Sequence, residues 1–146
     1  MLKEADIIES DDIYDLEKEI FGQSYEQWKR EDILEAIKSD KYKVYIIKNN
    51  FNIIGYIIFT YSSFESYIAK FGISKEYRQQ GYGKYLVEYA VSVIDSNEIF
   101  LEVRSNNVAA INLYKKVGFN IVGMRKGMYK DPIDDAIIMQ RKAKRC

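Results

Sequence analysis

The sequence predicts a mixed α/β fold, in which a sheet is covered by helices on its faces. Two amphipathic helical segments come first, three strand-like runs follow them, and helices and strands then alternate to the end of the chain. The predicted order is helix, helix, three strands, helix, strand, helix and two strands. The chain has 146 residues, of which 47% are apolar, so we expect one domain over residues 1–146 with a core of its own.

The first forty residues predict two helices. Residues 10–12, Ser-Asp-Asp, are typical of a helix N-cap, and Gly22 is a typical end. Ser24 and Gln27 have the spacing of a capping box for a second helix. The apolar positions at helical spacing are Ile13, Leu16, Ile20 and Phe21 in the first helix, and Trp28, Leu34 and Ile37 in the second.

Three runs rich in β-branched and aromatic residues predict consecutive strands. Gly55 and Gly72 lie inside these runs, which predicts bulges or a close approach of another backbone. The runs cover residues 43–48, 53–61 and 67–73, and residues 49–52 between the first two read as a hairpin turn.

The second half of the chain alternates between the two element types. A helix is predicted from four residues on one face: Tyr82, Leu86, Tyr89 and Val93. After a strand at residues 99–104, Asn106 or Asn107 caps a further helix that ends at Gly118, with Phe119 folded back on Tyr114. Residues 119–124 and 136–140 predict the last two strands.

Composition excludes several classes of function. Acidic and basic residues balance at 22 each, so nothing global favours nucleic acid or an anionic membrane. The absence of histidine excludes a Ser-His triad and a histidine metal site, so we expect no metal. The one cysteine, Cys146, is the last residue and a poor candidate for a positioned nucleophile. The apolar stretch at 53–61 is too short for a bilayer helix and the first residues lack a signal-peptide core, so the cytoplasm is the expected location.

A glycine turn before a predicted helix is the strongest local signal for ligand binding. Residues 78–84 read Arg-Gln-Gln-Gly-Tyr-Gly-Lys. Glycines let backbone N–H groups converge on a phosphate, the helix N-terminus adds partial positive charge, and Arg78 and Lys84 add full charges. Tyr85 stands where a Walker loop needs Ser or Thr, and Leu86 stands where a dinucleotide fingerprint needs glycine. The spacing alone leaves a turn without any ligand equally open.

Two longer segments resemble a known family. Residues 73–86 resemble motif A of the GNAT acetyltransferases, Q/R-x-x-G-x-G/A. Residues 101–119 resemble motif B, L-x-V-x-x-x-N-x-x-A-x-x-L-Y-x-x-x-G-F, and residues 135–139 are similar to the last strand of the ribosomal-protein alanine N-acetyltransferases (RimI-like). The resemblance covers roughly residues 65 to 140. It implies the GNAT fold: a central bent mixed sheet with splayed parallel strands, flanked by about four helices.

The resemblance implies an acetyl-CoA site. In the family, the pantetheine arm inserts between two splayed strands, and the glycine turn holds the pyrophosphate. By correspondence, the pantetheine arm pairs with backbone groups of Phe71, Gly72 and Ile73 and contacts Asn107. The pyrophosphate lies on Arg78, Gln79, Gln80, Gly81, Tyr82, Gly83 and Lys84.

The same correspondence implies a general base, Glu102, and a general acid, Tyr114. The amine must attack the thioester in its neutral form, and the departing thiolate needs a proton or a hydrogen bond. Three other interpretations stay open: Glu102 pairs with Arg104, Tyr114 is a core residue, and Glu65 is the base or relays through water.

The implied reaction is acetyl transfer from acetyl-CoA to the α-amine of a protein N-terminus, with a ribosomal protein as one candidate acceptor. Glu65 and Tyr129 are predicted to contact the acceptor, and a plain surface turn is the alternative for Tyr129 and Asp131. Phe71 and Lys75 depart from the family pattern, and the loop before Asp135 is shorter than in some relatives. A small amine as acceptor, or a non-catalytic acyl-CoA-binding module, are the alternative functions. Oligomeric state is left open.

Overall fold

The computed structural model describes residues 1–22 and 24–143. In this part of the chain, seven strands form one sheet in the order β1-β2-β3-β4-β5-β7-β6, and every neighbouring pair is antiparallel except β4 and β5. The strands are β1 (Leu2–Glu4), β2 (Tyr42–Asn49), β3 (Asn52–Thr60), β4 (Glu65–Ile73), β5 (Glu98–Arg104), β6 (Asn120–Tyr129) and β7 (Asp134–Lys142). The helices are α1 (Ser10–Phe21), α2 (Arg30–Lys38), α3 (Tyr82–Val93) and α4 (Val108–Lys116). The predicted mixed sheet with helices on its faces is confirmed.

A hydrophobic core lies on each face of the sheet. On one face, α1 and α2 pack against β2 and β3, with Ile13, Ile33 and Tyr56 fully buried. On the other face, α3 and α4 pack against β3 to β5 and β7, with Leu86 and Phe119 among the most buried side chains. Because side chains alternate along each strand, one strand supplies both cores.

The parallel strands β4 and β5 separate after three residue pairs. Tyr67 and Phe100 form the last pair, and their rings stack at 5.3 Å between centroids. At this point Ala69 is an extra residue in β4, because Ile58 and Phe59 of β3 face Lys70 and Ile68. Such a bulge bends a strand. The remainder of β4 therefore follows β3, while β5 follows β7.

The local sequence patterns predicted the helices correctly but placed the N-terminal caps of α1 and α2 at the wrong residues. The capping box predicted at Ser24 and Gln27 is wrong, because these residues form a turn: the Gln27 N–H donates to the Ser24 carbonyl at 3.1 Å. The second helix begins at Arg30, and the Asp32 side chain accepts from the Lys29 N–H at 2.9 Å, so Trp28 lies in the loop before it.

The N-cap predicted at residues 10–12 is also wrong. A short 3₁₀ helix, Ile7–Glu9, runs directly into α1, and its box is formed by Asp6 and Glu9. In α3 the buried face is formed by Leu86, Val87, Ala90 and Val91, whereas Val93 is exposed.

The end of α4 is as predicted. Gly118 has a φ of +98°, in the left-handed region that favours glycine. The Phe119 N–H donates to the Tyr114 carbonyl at 3.0 Å, and the two rings pack edge to face at 5.6 Å. Phe119 therefore packs against the Tyr114 ring and helps to fix its position. No helix in the described residues is long and apolar enough to cross a membrane.

We expect Phe119→Ala to lower the free energy of unfolding by about 3–5 kcal/mol, because it leaves a cavity beneath Tyr114. Urea denaturation followed by circular dichroism measures this loss. Val122→Ala on the exposed edge strand is the control, with an expected change of at most about 0.5 kcal/mol. Equal losses in the two variants would contradict a central role for Phe119 in the core.

Candidate active site

The separation of β4 and β5 opens a cavity of about 720 Å³. Residues 68–71 of β4 and 101–104 of β5 form its two walls, α4 contributes Ala110 and Tyr114, and the loop between α1 and α2 covers part of it. The cavity therefore lies where the backbone of two parallel strands has lost its mutual hydrogen bonds.

The two faces of the sheet supply different chemistry to this cavity. Leu101 and Val103 of β5 pack into the core beneath α3 and α4, on the same face as Tyr114 and Phe71. Because strand side chains alternate, Glu102 points to the opposite face. The opening thus has a phenol on the α4 side and a carboxylate on the α1 side.

The Tyr114 side chain is buried and held by aromatic neighbours. Its ring lies 6.1 Å from that of Phe71 and 5.6 Å from that of Phe119, between centroids. Burial raises the pKa of Tyr114 above its ordinary value, and the nearby Tyr129 phenol acts in the same direction. The phenol is therefore protonated throughout the neutral range. Tyr114 is therefore both a packed core residue and one of the residues that line the cavity.

Glu102 does not form the pair with Arg104 that was one interpretation of the sequence. Its nearest cation is Arg125 of β6, whose Nε lies 3.6 Å from Oε1. The Glu102 side chain is 30% exposed and Arg125 is 58% exposed, so this ion pair is weak and open to solvent. A carboxylate in this position is accessible from the cavity.

Arg104 instead connects the loops above the cavity. Its guanidinium donates to the carbonyls of Pro132 at 2.8 Å and Lys130 at 3.0 Å, and it lies 4.5 Å above the ring of Tyr129. It also lies 3.7 Å from a carboxylate oxygen of Glu26 in the α1–α2 loop. Arg104 therefore holds the β6–β7 loop near the α1–α2 loop.

A second contact joins the same two loops. The Lys130 N–H donates to the Tyr25 hydroxyl at 3.0 Å, although the two residues are 105 positions apart. Tyr129 lines the cavity beside them, and burial, with the charges of Glu102 and Glu26, raises the pKa of Tyr129 to about 12. Asp131 lies in this loop and is exposed.

The glycine turn lies at the N-terminus of α3. Gln79 and Gly81 have φ values of +61° and +90°, and the first closing hydrogen bond of the helix runs from the Tyr85 N–H to the Gly81 carbonyl at 3.1 Å. The N–H groups of Tyr82, Gly83 and Lys84 therefore have no partner within the helix, which is the arrangement that binds anions at a helix start.

The two glycines of the turn serve different purposes. A Cβ on Gly81 would meet nothing within 4 Å, so this glycine is required for its left-handed backbone alone. A Cβ on Gly83 would lie 3.1 Å from Leu113 and 3.2 Å from Phe71. Gly83 therefore lets the first turn of α3 pack closely on α4 and on the wall of the cavity.

The charged and amide side chains of the turn are partly engaged. The Arg78 Nε donates to the Ile73 carbonyl at 3.0 Å, which fixes the guanidinium beside the end of β4. The Gln80 amide donates to the Glu76 carbonyl at 3.0 Å. The Lys84 Nζ lies 2.9 Å from a carboxylate oxygen of Glu88, one turn further along the helix. The negative charge of Glu88 therefore offsets part of the positive charge at the turn.

The other predicted cofactor residues lie around the same opening. Phe71 lines the cavity, and Gly72 and Ile73 continue β4 towards the glycine turn. A Cβ on Gly72 would lie 2.6 Å from Ile20, so the close neighbour is a side chain of α1. The Asn107 Oδ1 accepts from the Ala110 N–H at 3.1 Å as the cap of α4, and Asn107 is one of the residues that line the cavity.

Glu65 is not brought to this site. It lies at the start of β4, where β4 and β5 are still paired, and it contributes to a different cavity with Glu98 and Lys142. Cys146 lies outside the described residues. Within the described residues, no group of three or more His, Cys, Asp or Glu side chains is placed to hold a metal ion.

Comparison of the sequence with known proteins identifies its family. The sequence model of the acetyltransferase (GNAT) family matches residues 10–119. The chain belongs to the GNAT acetyltransferase family. A relative from Bacillus subtilis, assigned as a [ribosomal protein bS18]-alanine N-acetyltransferase, is 31% identical over 133 residues, which cover 88% of this chain and 86% of that protein. The chain is therefore an acetyl-CoA-dependent N-acetyltransferase.

Solved GNAT structures have the same fold. The ribosomal-protein-S18-alanine N-acetyltransferase of Escherichia coli superposes with a TM-score of 0.88 at 22% identity, over 100% of this chain and 95% of that one. A Bacillus anthracis protein assigned as a streptothricin acetyltransferase, solved in complex with acetyl coenzyme A, gives a TM-score of 0.66 at 31% identity. That match covers 75% of this chain and 67% of the other.

Sequence reasoning missed a buried ion pair beside this GNAT site. Lys70 of β4 lines the cavity, and its Nζ lies 3.0 Å from Oε2 of the fully buried Glu17 in α1. Burial lowers the pKa of Lys70, and the charge of Glu17 opposes that effect. A signal was present in the sequence, because Glu17 lies on the apolar face of its helix and Lys70 interrupts an apolar strand.

Proposed function

We propose that this enzyme transfers the acetyl group of acetyl-CoA to the α-amine of a protein or peptide N-terminus. The observation that supports this most directly is the opening between β4 and β5, which has Glu102 on one face of the sheet and Tyr114 on the other. The two substrates then approach from opposite faces and meet between the strands.

In this proposal acetyl-CoA binds from the α3–α4 side. Residues 78–84 hold the pyrophosphate through the free N–H groups of the first helical turn, with Arg78 and Lys84 adding charge. The pantetheine arm pairs with the backbone edge of Phe71, Gly72 and Ile73 that faces away from β3, as a strand would. The Asn107 amide donates to the arm. Backbone N–H groups at the opening polarise the thioester carbonyl.

Glu102 acts as the general base, directly or through a water molecule. The neutral amine attacks the thioester carbon, a C–N bond forms, the C–S bond breaks, and the proton lost by the amine passes to the carboxylate. Glu102 suits this task because it is open to the cavity and paired only with a solvent-exposed arginine. Its position is more suitable than that of Glu65, which lies at the paired end of the strands.

Tyr114 acts as the donor to the departing sulfur. Its raised pKa keeps the phenol protonated, so a hydrogen bond is available as negative charge develops. Burial in the same apolar surroundings also makes the thiolate a stronger base than it is in water, which favours proton transfer from the phenol.

The acceptor enters on the α1 side, beneath the joined α1–α2 and β6–β7 loops, where Tyr129 lines its path. An α-amine fits a site with a carboxylate base. Its ordinary pKa is ~7.7–8.0 against ~10.4 for lysine, so at pH 7 roughly one α-amine in ten is neutral but only about one lysine in 2,500. Relatives named for a ribosomal alanine N-terminus support the same acceptor class. The expected cytoplasmic location stays a prediction.

The role of the glycine turn is tested by a matched pair, Gly81→Asn and Gly81→Asp. Both residues tolerate the left-handed backbone, and only aspartate places a negative charge beside the pyrophosphate. Two like unit charges 4 Å apart repel each other by about 1 kcal/mol in water and by about 4 kcal/mol at an effective dielectric constant of ~20. We therefore expect the Asp variant to bind acetyl-CoA at least about fivefold more weakly than the Asn variant in calorimetry. Equal affinities would contradict this site.

Tyr114→Phe is expected to lower kcat by roughly 10²–10⁴-fold and to change the KM for acetyl-CoA little, because the hydroxyl acts mainly in the transition state. Thiol release under conditions in which chemistry limits the rate measures this effect. Tyr89→Phe is the control and should keep the parental kcat, because Tyr89 is a half-buried tyrosine of α3 that packs on Tyr45 and does not line the cavity. A parental kcat in the Tyr114 variant would assign this residue to the core alone.

The acceptor class is tested with two peptides of matched composition. One has a free N-terminus and no lysine, and the other is blocked at the N-terminus and carries an internal lysine. We expect the free N-terminus to give the higher kcat/KM, since deprotonating lysine costs ~3.5 kcal/mol more. A polyamine in a third reaction tests the small-amine alternative, which would replace this proposal if the free N-termini are silent and the polyamine is acetylated.

A further inference from the structure

Four residues of the α1–α2 loop line the cavity on the acceptor side: Tyr25, Glu26, Gln27 and Trp28. The loop follows Gly22 and precedes α2, and its described residues 24–29 contain no helix or strand. Something other than secondary structure must hold its position over the cavity.

The Glu17 carboxylate accepts a hydrogen bond from the end of this loop. The Trp28 N–H donates to Glu17 Oε2 at 2.8 Å, and the Tyr56 hydroxyl donates to Oε1. The carboxylate is fully buried and sits between α1 and β3. Its two oxygens therefore connect the loop to the centre of the sheet.

Lys70 binds the middle of the same loop. Its Nζ pairs with Glu17 Oε2 at 3.0 Å and donates to the carbonyl of Glu26, and it lies 3.4 Å from the centroid of the Phe21 ring. Lys70 belongs to the part of β4 that has separated from β5. One ammonium group thus links the wall of the cavity to the loop that covers it.

We propose that the Glu17–Lys70 pair positions the α1–α2 loop for the acceptor and so contributes to acceptor binding. The proposal rests on the acceptor entering from the α1 side, as in the proposed function. Neither residue takes part in proton transfer. A buried ion pair usually stabilises a fold no more than apolar residues of similar size, because burying two charges is costly. Its hydrogen bonds to the loop supply a reason for its presence.

The test compares two double variants that each neutralise a buried carboxylate and its lysine partner. Glu17→Gln with Lys70→Met removes the pair at the cavity without leaving an uncompensated charge. Glu9→Gln with Lys48→Met removes a pair 2.8 Å apart, with a partly exposed lysine, outside the residues that line the cavity; Lys3, which also contacts Glu9, keeps Asp6 as a partner. Trp28 is the one tryptophan of the chain, so its fluorescence reports on the loop directly.

We expect the Glu17/Lys70 variant to stay folded, to keep the parental KM for acetyl-CoA, and to raise the KM for the acceptor peptide by about tenfold or more, since misplaced binding groups are costly. Acrylamide quenching of Trp28 should increase. The Glu9/Lys48 variant should change the melting temperature but neither the acceptor KM nor the quenching.

A folded Glu17/Lys70 variant with parental acceptor KM and parental quenching would overturn the proposal. Equal changes of the acceptor KM and of the quenching in both double variants would also overturn it, because the Glu17–Lys70 pair would then act only through the stability of the fold. The quenching measurement needs no acceptor. A parent enzyme that is silent on every free N-terminus would therefore contradict the proposed function and leave the test of the loop intact.

Discussion

The loss of hydrogen bonding between β4 and β5 is the constraint on which the rest of the structure depends. Two parallel strands share three residue pairs and then diverge at the bulge of Ala69, so the sheet contains two unpaired backbone edges in its interior. Buried backbone groups without partners are costly. These edges line the cavity, and in the proposed binding mode the amide groups of the pantetheine arm supply the missing partners.

The same divergence separates the chemistry into two sides. Alternation along β5 sends Leu101 and Val103 to one face and Glu102 and Arg104 to the other. The α3–α4 face is apolar and rigid, with Gly83 allowing the helix to pack closely on Phe71 and Leu113. The α1 face is polar and is built from loops that Arg104, Tyr25 and the buried Glu17–Lys70 pair hold together. In the proposed function, the acetyl donor and the acceptor are thus bound by separate parts of one small protein.

Much of this was predictable from sequence, and the failures have physical causes. The fold class, the order of the long elements and the glycine turn follow from local periodicity and from Gly81 and Gly118. The wrong capping box at Ser24 arose because a turn uses the same residue types as a helix start. The partners of Glu102 and Arg104 could not be predicted from sequence, because they lie on β6 and in the β6–β7 loop, which are distant from β5 in the sequence. Lys70 and Glu17 were missed for the same reason, although a charge on an apolar face marked each of them.

The sheet order has a consequence for how the molecule assembles during synthesis. The last strand, β7, lies between β5 and β6, and the Tyr25 hydroxyl meets the Lys130 backbone across 105 positions of sequence. Contacts of such long range form slowly and only after the distant segment has left the ribosome. A nascent chain that ends before β7 can form the β2–β3–β4 meander and its helices, but β5 then lacks its partner β7 and the cavity lacks the β6–β7 loop beside it. The enzyme is therefore expected to gain its acceptor side in the final step of folding, when its C-terminal hairpin inserts.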